Sequence, residues 1–258
     1  MRKIWCTSQD GKYRIESMSA ATFPGSLQAL REGFVPNSST CVALEVNKDP
    51  LAAEELFELC ADAALDGLSL VAVDNDTEEV VATVFCKLQE KPTPGTTEKT
   101  FFEIFTEERC KRPSSKAMMD FMVQLDAKCN YFDRFGIDCL CEIMFLGVKP
   151  EHRQKGLANM LCKTAVEVAK KFKEGPVAPL TIEDLGPNFA FMKPRKPVTT
   201  PPQICTALWS AVGSKKCGKN LGFEVLEVFS YDDLTFDGTP CSDRLGPGVI
   251  CEGAALKI

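Results

Sequence analysis

The stretch that decides the predicted fold spans residues 139–173 and reads CLCEIMFLGVKPEHRQKGLANMLCKTAVEVAKKFK. Its first ten residues are an apolar run of strand length, which is typical of a central strand covered on both faces. A polar turn follows, and the residues after the turn predict a long amphipathic helix. The apolar stripe of that helix consists of Leu157, Met160, Leu161, Ala165, Val168 and Ala169.

The turn between this strand and this helix has the chemistry of an anion site. A helix N-terminus carries unpaired N–H groups and the positive end of a dipole, so it can hold a pyrophosphate through the main chain. Gly156 and Ala158 leave room for phosphates to approach the backbone, and Arg153 and Lys155 add positive charge. The glycine patterns of Walker loops and of dinucleotide-binding turns are absent from the sequence.

Outward from this stretch, the patterns predict the element order β-α-α-β-β-α-β-α-β-α-β-β, which indicates a mixed α/β sheet in a single domain. Further strands are predicted at residues 13–16, 68–74, 78–90, 177–182, 223–231 and 248–257. Further helices are predicted at residues 25–33, 51–65, 114–135 and 205–220. Residues 91–99 and the proline-rich residues 186–202 are predicted to be loops.

The composition excludes several classes of protein. The chain has 258 residues, of which 45% are hydrophobic and 26% charged, and these are ordinary globular values. Its 36 acidic and 30 basic residues give a net charge of −6, which argues against nucleic acid as a partner. Apolar runs such as residues 143–148 are too short to span a bilayer, and the N-terminus lacks an apolar signal core. A cytoplasmic protein without a membrane partner is therefore expected, and the sequence assigns no oligomeric state.

The 13 cysteines are predicted to be reduced thiols that pack as small hydrophobic residues. Their number is odd, they are evenly spread, and no C-x-x-C pair occurs. His152 is the single histidine, and the spacing of the cysteines does not resemble a zinc site, so no metal is expected.

Eleven consecutive residues, Val148 to Ala158 (VKPEHRQKGLA), fit the pattern V-x-P-x-x-[RQ]-x-x-G-x-[GA]. This pattern is motif A of the GNAT superfamily of acyl-CoA-dependent N-acyltransferases, which the chain therefore resembles. The resemblance implies a single GNAT domain over residues 1–258, with motif A at 142–173 and a mixed, splayed β-sheet flanked by helices. It also implies acetyl-CoA as co-substrate. The implied contact residues are Leu146, Gly147 and Val148, beside the pantetheine, and Arg153, Gln154, Lys155, Gly156, Leu157 and Ala158, around the pyrophosphate.

Three further segments resemble the insect arylalkylamine N-acetyltransferase-like branch of that superfamily. They are DGLSLVAVD at residues 66–74, NLGFE at 220–224, and YDD at 231–233 followed by FDG at 236–238. The branch implies transfer of an acetyl group to a small primary amine, an arylalkylamine or a polyamine-like amine, in a ternary complex without a covalent enzyme intermediate. The insertion at 186–202 is longer than expected for the branch, and we expect it to reshape the substrate entrance.

The chain departs from the branch at the residue expected to act as the base. A glutamate usually follows the first helix, and here Ser38 stands in its place, after Asn37. We therefore expect Ser38 to contact the substrate rather than to accept a proton. An alternative alignment would use the acid Asp49, but it places about a dozen extra residues before the motif.

Glu142 is a candidate substitute base, because a charge inside an apolar strand is costly unless it has a purpose or a partner. The alternation of a strand would place residues 142, 144, 146 and 148 on one face, which directs Glu142 towards the cofactor segment. A buried acid that is merely paired is the competing interpretation.

Ser210 and Ser214 are candidates for relaying a proton to the leaving thiolate, since the branch places two serines four residues apart on a helix. That spacing puts both hydroxyls on one helical face. The competing interpretation is that they cap the helix or face solvent. His152 could act as a base, but its place in the pyrophosphate turn favours a role beside the phosphates or in solvent.

Two other functions stay open on the sequence. The loss of the usual glutamate is compatible with a catalytically weak or inactive acyl-CoA-binding homologue. A protein N-acetyltransferase is the other alternative, and an open groove would favour it over a closed amine pocket.

Overall fold

The computed structural model describes residues 3–92, 101–175 and 177–258. Most of its strands form one eight-stranded sheet in the order β1-β2-β3-β4-β5-β6-β10-β7. The strands are β1 Ile4–Thr7, β2 Tyr13–Ser17, β3 Leu70–Asp74, β4 Val80–Glu90, β5 Cys139–Val148, β6 Ile204–Trp209, β7 Glu224–Ser230, β8 Thr235–Phe236, β9 Thr239–Pro240 and β10 Ile250–Lys257. Neighbours in the sheet are antiparallel except β5 and β6, which are parallel. Strands β8 and β9 form a separate hairpin.

Helices cover both faces of the large sheet. They are α1 Phe23–Gly33, α2 Ser39–Ala43, α3 Pro50–Ala64, α4 Phe101–Arg109, α5 Pro113–Cys129, α6 Tyr131–Phe135, α7 Leu157–Lys171, α8 Val212–Leu221 and α9 Ser242–Leu245. Helix α7 packs on one face, where Leu161 and Val168 join Val84 and Ile143 in a buried cluster. Helices α1, α3 and α5 pack on the other face, around Phe85 and Phe145. None of the helices in the described residues is long and apolar enough to cross a membrane.

The sheet opens between β5 and β6. Their parallel pairing runs from Leu140 and Ile204 to Ile143 and Ala207 and then stops. The last part of β5, residues 144–148, therefore has β4 as its neighbour but no partner on β6. This arrangement confirms the predicted mixed, splayed sheet flanked by helices.

A β-bulge interrupts β5 next to this opening. Ile143 pairs with Cys86 and Phe145 with Phe85, so Met144 is an extra residue opposite β4. An extra residue reverses the alternation of side chains between the two faces. Leu146 and Val148 consequently pack on the α7 side of the sheet, whereas Met144 packs on the α1 side.

Three predicted elements differ from the structure. The predicted helix at 205–220 is strand β6 followed by helix α8, because β6 pairs with β5 and β10 on its two edges. The predicted helix at 114–135 is divided into α5 and α6 at Asn130, whose φ of 45° ends α5 in the left-handed region. The predicted strand at 177–182 is irregular in its described residues, where Pro179 offers no N–H group for a ladder.

The insertion at 186–202 is irregular apart from one turn of 3-10 helix, as expected. Arg195 anchors it to the C-terminal end of α3. Its Nε donates to Asp62 Oδ1 at 2.9 Å and its Nη2 to Asp66 Oδ1 at 2.6 Å. Lys87, which is buried, is a second cation that contacts both carboxylates.

Candidate functional site

A cavity of about 840 Å³ lies at the opening between β5 and β6. Four segments form its walls: the end of β5, the turn into α7, the segment that joins α1 to α2, and the segment that joins β6 to α8. Residues 186–202 do not contribute to its lining, so the expectation that the insertion reshapes the entrance to this cavity is wrong. The insertion instead lies near Lys87 and Asp66 and packs on α3.

The turn into α7 presents a group of backbone N–H donors to this cavity. Gln154 and Gly156 both have positive φ, at 60° and 79°, and such turns direct successive N–H groups into one concave surface. The backbone N–H groups of residues 154–158 donate no hydrogen bond to any acceptor in the described part of the chain. A Cβ on Gly156 would meet nothing within 4 Å, so the space in front of the donors is open. The residues present therefore fit a pyrophosphate, and the binding of one here stays a prediction.

Side chains behind the turn hold it in place. Tyr13 OH lies 3.0 Å from His152 Nδ1 and accepts a hydrogen bond from Lys155 Nζ at 3.1 Å. Lys149 is buried and forms ion pairs with Glu79 and Glu32. His152 lines the cavity on this side, and its place beside the phosphates stays a prediction.

Arg153 joins the turn to the opposite wall. Its Nε donates to Val148 O at 3.3 Å, its Nη2 to Gly33 O at 3.2 Å and its Nη1 to Asn37 Oδ1 at 3.2 Å. The close approach of α1 to β5 requires a glycine, since a Cβ on Gly33 would lie 2.5 Å from Val148 O. Arg153 therefore adds positive charge to the cavity while it fixes the relative position of α1 and β5.

The cofactor-binding residues predicted on β5 lie at the unpaired end of that strand. Leu146 and Val148 line the cavity from the α7 side of the sheet. Gly147 lies between them, and its position beside Ala29 and Leu30 allows α1 to pack closely on the strand. The strand edge freed by the opening is available to a ligand with amide groups, such as a pantetheine.

Ser38 and Ser210 meet across the cavity. Their Oγ atoms are 3.5 Å apart, although the residues are separated by 172 positions. Ser38 is the N-cap of α2, where its Oγ accepts from Cys41 N at 3.4 Å. Ser210 follows β6 directly. The structure thus brings together two of the residues that the sequence singled out.

Ser214 also lines the cavity, but its hydroxyl is engaged locally. It donates to Ala211 O at 2.9 Å and accepts from Ala211 N at 3.1 Å, which caps the first turn of α8. Ser210 lies outside that helix, since α8 begins at Val212. The predicted shared helical face of Ser210 and Ser214 is therefore wrong, because the second serine alone is helical.

Glu142 does not line the cavity. The bulge at Met144 separates it from Leu146 and Val148, so the expectation that these residues share one face is wrong. The residue is 2% exposed, and its carboxyl accepts from Gln89 Nε2 at 2.5 Å. Burial, together with the neighbouring Asp126, raises the pKa of Glu142 well above its usual range. Its role as a base stays a prediction.

The charged groups of the cavity wall are cationic. Arg153 and Lys216 line it, as does the imidazole of His152, and the described lining contains no aspartate or glutamate. The Cys217 thiol also lines it, and a hydrogen bond from Cys162, aided by Lys216, lowers the pKa of Cys217. All cysteines are free, and the described residues contain no group of three or more potential ligands for a metal ion.

Sequence reasoning missed several apolar residues of the wall, including Phe34, Met144, Leu208 and Trp209. No motif marks them. Met144 could have been suspected only from a break in the alternation of β5, and Leu208 and Trp209 were hidden by the prediction of a helix there. These side chains reach the cavity because of the bulge and the sheet opening.

Comparison with known proteins finds structures alike in fold over nearly the whole chain. Arylalkylamine N-acetyltransferase 2 from Aedes aegypti is 19% identical, with 95% of this chain and 99% of that chain covered and a TM-score of 0.70. The putative arylalkylamine N-acetyltransferase 7 of the same mosquito is 15% identical, with 100% and 95% covered and a TM-score of 0.69. The Drosophila melanogaster polyamine N-acetyltransferase that forms N-acetylagmatine is 15% identical, with 95% and 100% covered and a TM-score of 0.65.

No protein-family model matches the chain, and no curated protein matches it in sequence. The structural likenesses, all below 25% identity, establish a common fold.

Proposed function

Because the chain has the fold of the GNAT N-acetyltransferases, we propose that it transfers an acetyl group from acetyl-CoA to a small primary amine. The two kinds of acceptor implied by the sequence are arylalkylamines and polyamine-like amines. Transfer is direct, within a ternary complex. A cytoplasmic location and the absence of nucleic-acid, membrane and metal partners belong to the same proposal.

The observation that carries this proposal is the set of unbonded N–H groups at residues 154–158, directed into a cavity that continues along the free edge of β5. A pyrophosphate satisfies these donors and gains from the helix dipole. The free edge can pair with pantetheine amides, and Lys216 supplies positive charge. Acetyl-CoA contributes the activated thioester.

The residues at the other end of the cavity hold the acceptor. They combine an apolar wall, formed by Phe34, Met144 and Leu208, with the hydroxyls of Ser38 and Ser210. In the transfer, the amine nitrogen forms a bond to the thioester carbon, the carbon–sulfur bond breaks, and the sulfur leaves as a thiolate that takes up a proton. Hydroxyls that both donate and accept can relay that proton.

The experiment that tests the proposal is direct mass detection of the acetylated product. Purified protein is incubated with acetyl-CoA and a panel of tryptamine, tyramine, dopamine, agmatine and spermidine. Product from any of them supports the proposal. Detection by thiol reagents is unsuitable, because the protein carries 13 free cysteines of its own.

A second function, binding of acyl-CoA with little or no turnover, is favoured by one observation. The position after α1 where the resemblance places a glutamate holds Ser38, and the described cavity lining offers no carboxylate in its stead. A clear rise in melting temperature with acetyl-CoA, without product from any amine, would support this second function.

A further inference from the structure

The acceptor end of the cavity is uncharged except for one cation. Ser38 and Ser210 present hydroxyls, and Phe34, Met144 and Leu208 present apolar surface. The cation that reaches this end is Arg153, which donates to Asn37 Oδ1 at 3.2 Å, one residue from Ser38. Its acceptors are two backbone carbonyls and one amide, so these hydrogen bonds do not neutralise its charge.

No carboxylate compensates for this charge within the described lining of the cavity. The other titratable groups there are His152, Lys216 and Cys217, and all three lie towards the pyrophosphate turn and helix α8. Glu142 lies on the far side of the bulge, outside the lining, with its carboxyl on Gln89. An ammonium group placed between Ser38 and Ser210 would therefore have hydroxyl partners and a nearby guanidinium, but no counter-ion.

Such an environment discriminates between the two protonation states of an amine. Moving a cation from water into a partly apolar site without a counter-ion is costly, whereas a neutral amine needs only hydrogen bonds, which the two hydroxyls provide. We infer that the acceptor of this protein is an amine that is largely uncharged at neutral pH. This inference rests on the proposed function and selects, among small primary amines, those whose ammonium pKa lies well below that of an ordinary alkylamine.

The proton balance of the transfer agrees with this class. A neutral primary amine attacks the thioester carbon, the carbon–sulfur bond breaks, and one N–H proton ends on the departing sulfur. No proton is left over, so a relay through the Ser38 and Ser210 hydroxyls is sufficient. An ammonium would have to release a further proton before it attacks, and that proton would need a base.

The test compares phenethylamine with its β,β-difluoro analogue, which has a similar shape but a lower ammonium pKa because fluorine withdraws electrons. An alkylamine with a pKa of about 10.4 is only about one part in a thousand uncharged near neutral pH. When kcat/KM at pH 7 is calculated from the total amine concentration, charged and uncharged forms together, we expect it to be at least about tenfold higher for the difluoro analogue. The value for phenethylamine should rise about tenfold per pH unit through pH 9, following its free base.

Equal or higher kcat/KM for phenethylamine at pH 7, or a pH profile for it that is flat above neutrality, overturns the inference and leaves the proposed function standing. No product from either amine, while acetyl-CoA still raises the melting temperature, contradicts the proposed function itself, and the inference fails with it.

A gain-of-function variant gives a second test. Ser38→Glu places a carboxylate at the acceptor end, and Ser38→Gln is its matched neutral control, which loses the same N-cap hydroxyl. We expect Ser38→Glu to raise kcat/KM for phenethylamine at pH 7 at least about tenfold over Ser38→Gln and to flatten its pH profile. Equal values in two folded variants would show that a missing carboxylate does not limit the use of an ammonium.

Discussion

Ser38 Oγ lies 3.5 Å from Ser210 Oγ, and this contact joins the start of α2 to the end of β6 across the opening of the sheet. The two hydroxyls mark the place where a ligand lying along β5 would meet a second ligand from the α1 side. Because both are neutral and can donate or accept, they can pass a proton but not hold one. This contact between two hydroxyls is the basis of the proton relay that we propose for the protein.

Gly156→Ala is expected to weaken acetyl-CoA binding at least about tenfold. The residue has a φ of 79°, so a side chain strains the turn by about 1 kcal/mol and moves the N–H groups that face the cavity. Calorimetry gives the Kd directly. Gly136→Ala is the matched control, with a φ of 62° and open space around it, and it should lose similar stability while keeping its Kd. Equal losses of affinity in both variants would contradict a specific role for the turn at Gly156.

Ser210→Ala is expected to affect turnover, whereas Ser214→Ala is expected to affect stability. Ser210→Ala removes the hydroxyl beside Ser38 and should lower kcat about tenfold or more, with little change in the free energy of unfolding. Ser214→Ala removes a cap of α8 and should cost about 1 kcal/mol of stability. Steady-state kinetics and urea unfolding separate the two effects. Unchanged turnover in Ser210→Ala would remove this residue from the relay.

Glu142→Gln is expected to change the pH dependence of stability. A carboxyl whose folded-state pKa is raised binds its proton more tightly in the native state, so stability falls as pH rises above the unfolded pKa of about 4.3. Glutamine keeps an acceptor for Gln89 and does not ionise. Between pH 5 and pH 8, the variant should therefore lose less stability in urea unfolding than the native protein does.

The same variant tests Glu142 as a base. Our inference expects its kcat at pH 7 to stay within about twofold of the native value. A loss of two or more orders of magnitude in a folded Glu142→Gln protein, together with a changed pH–rate profile, would restore the role that the sequence suggested.

Arg195→Ala is expected to destabilise the protein without affecting cofactor binding. Arg195 contacts Asp62 and Asp66, and its loss leaves Lys87 as the cation between two buried carboxylates. A cost of about 2 kcal/mol is expected in thermal or urea unfolding. The Kd for acetyl-CoA should not change, because the insertion that carries Arg195 does not line the cavity. A large change in that Kd would show that the insertion influences the site.

The sequence by itself determined the parts of the protein that depend on local chain properties. Strand β5, the turn at 149–156 and helix α7 follow from an apolar run, a glycine at a position of positive φ, and apolar residues at helical spacing. These signals act within a few residues, so the turn was predictable together with its unbonded N–H groups. Ser38, five residues after the end of α1, is also read from the sequence alone, and the replacement of a glutamate there stays a prediction.

Only the tertiary structure decided how these parts face one another. Whether residues 204–209 form a strand depends on their pairing with β5 and β10, which lie far away in sequence. The bulge at Met144 is visible only against β4, and it moves Glu142 to the face opposite Leu146 and Val148. The contact between Ser38 and Ser210 spans 172 positions and exists because the parallel strands separate beyond Ile143. Local sequence patterns determine which residues have the chemistry to bind a ligand. Strand register and packing arise from long-range pairing, and they determine which of those residues come into contact with one another.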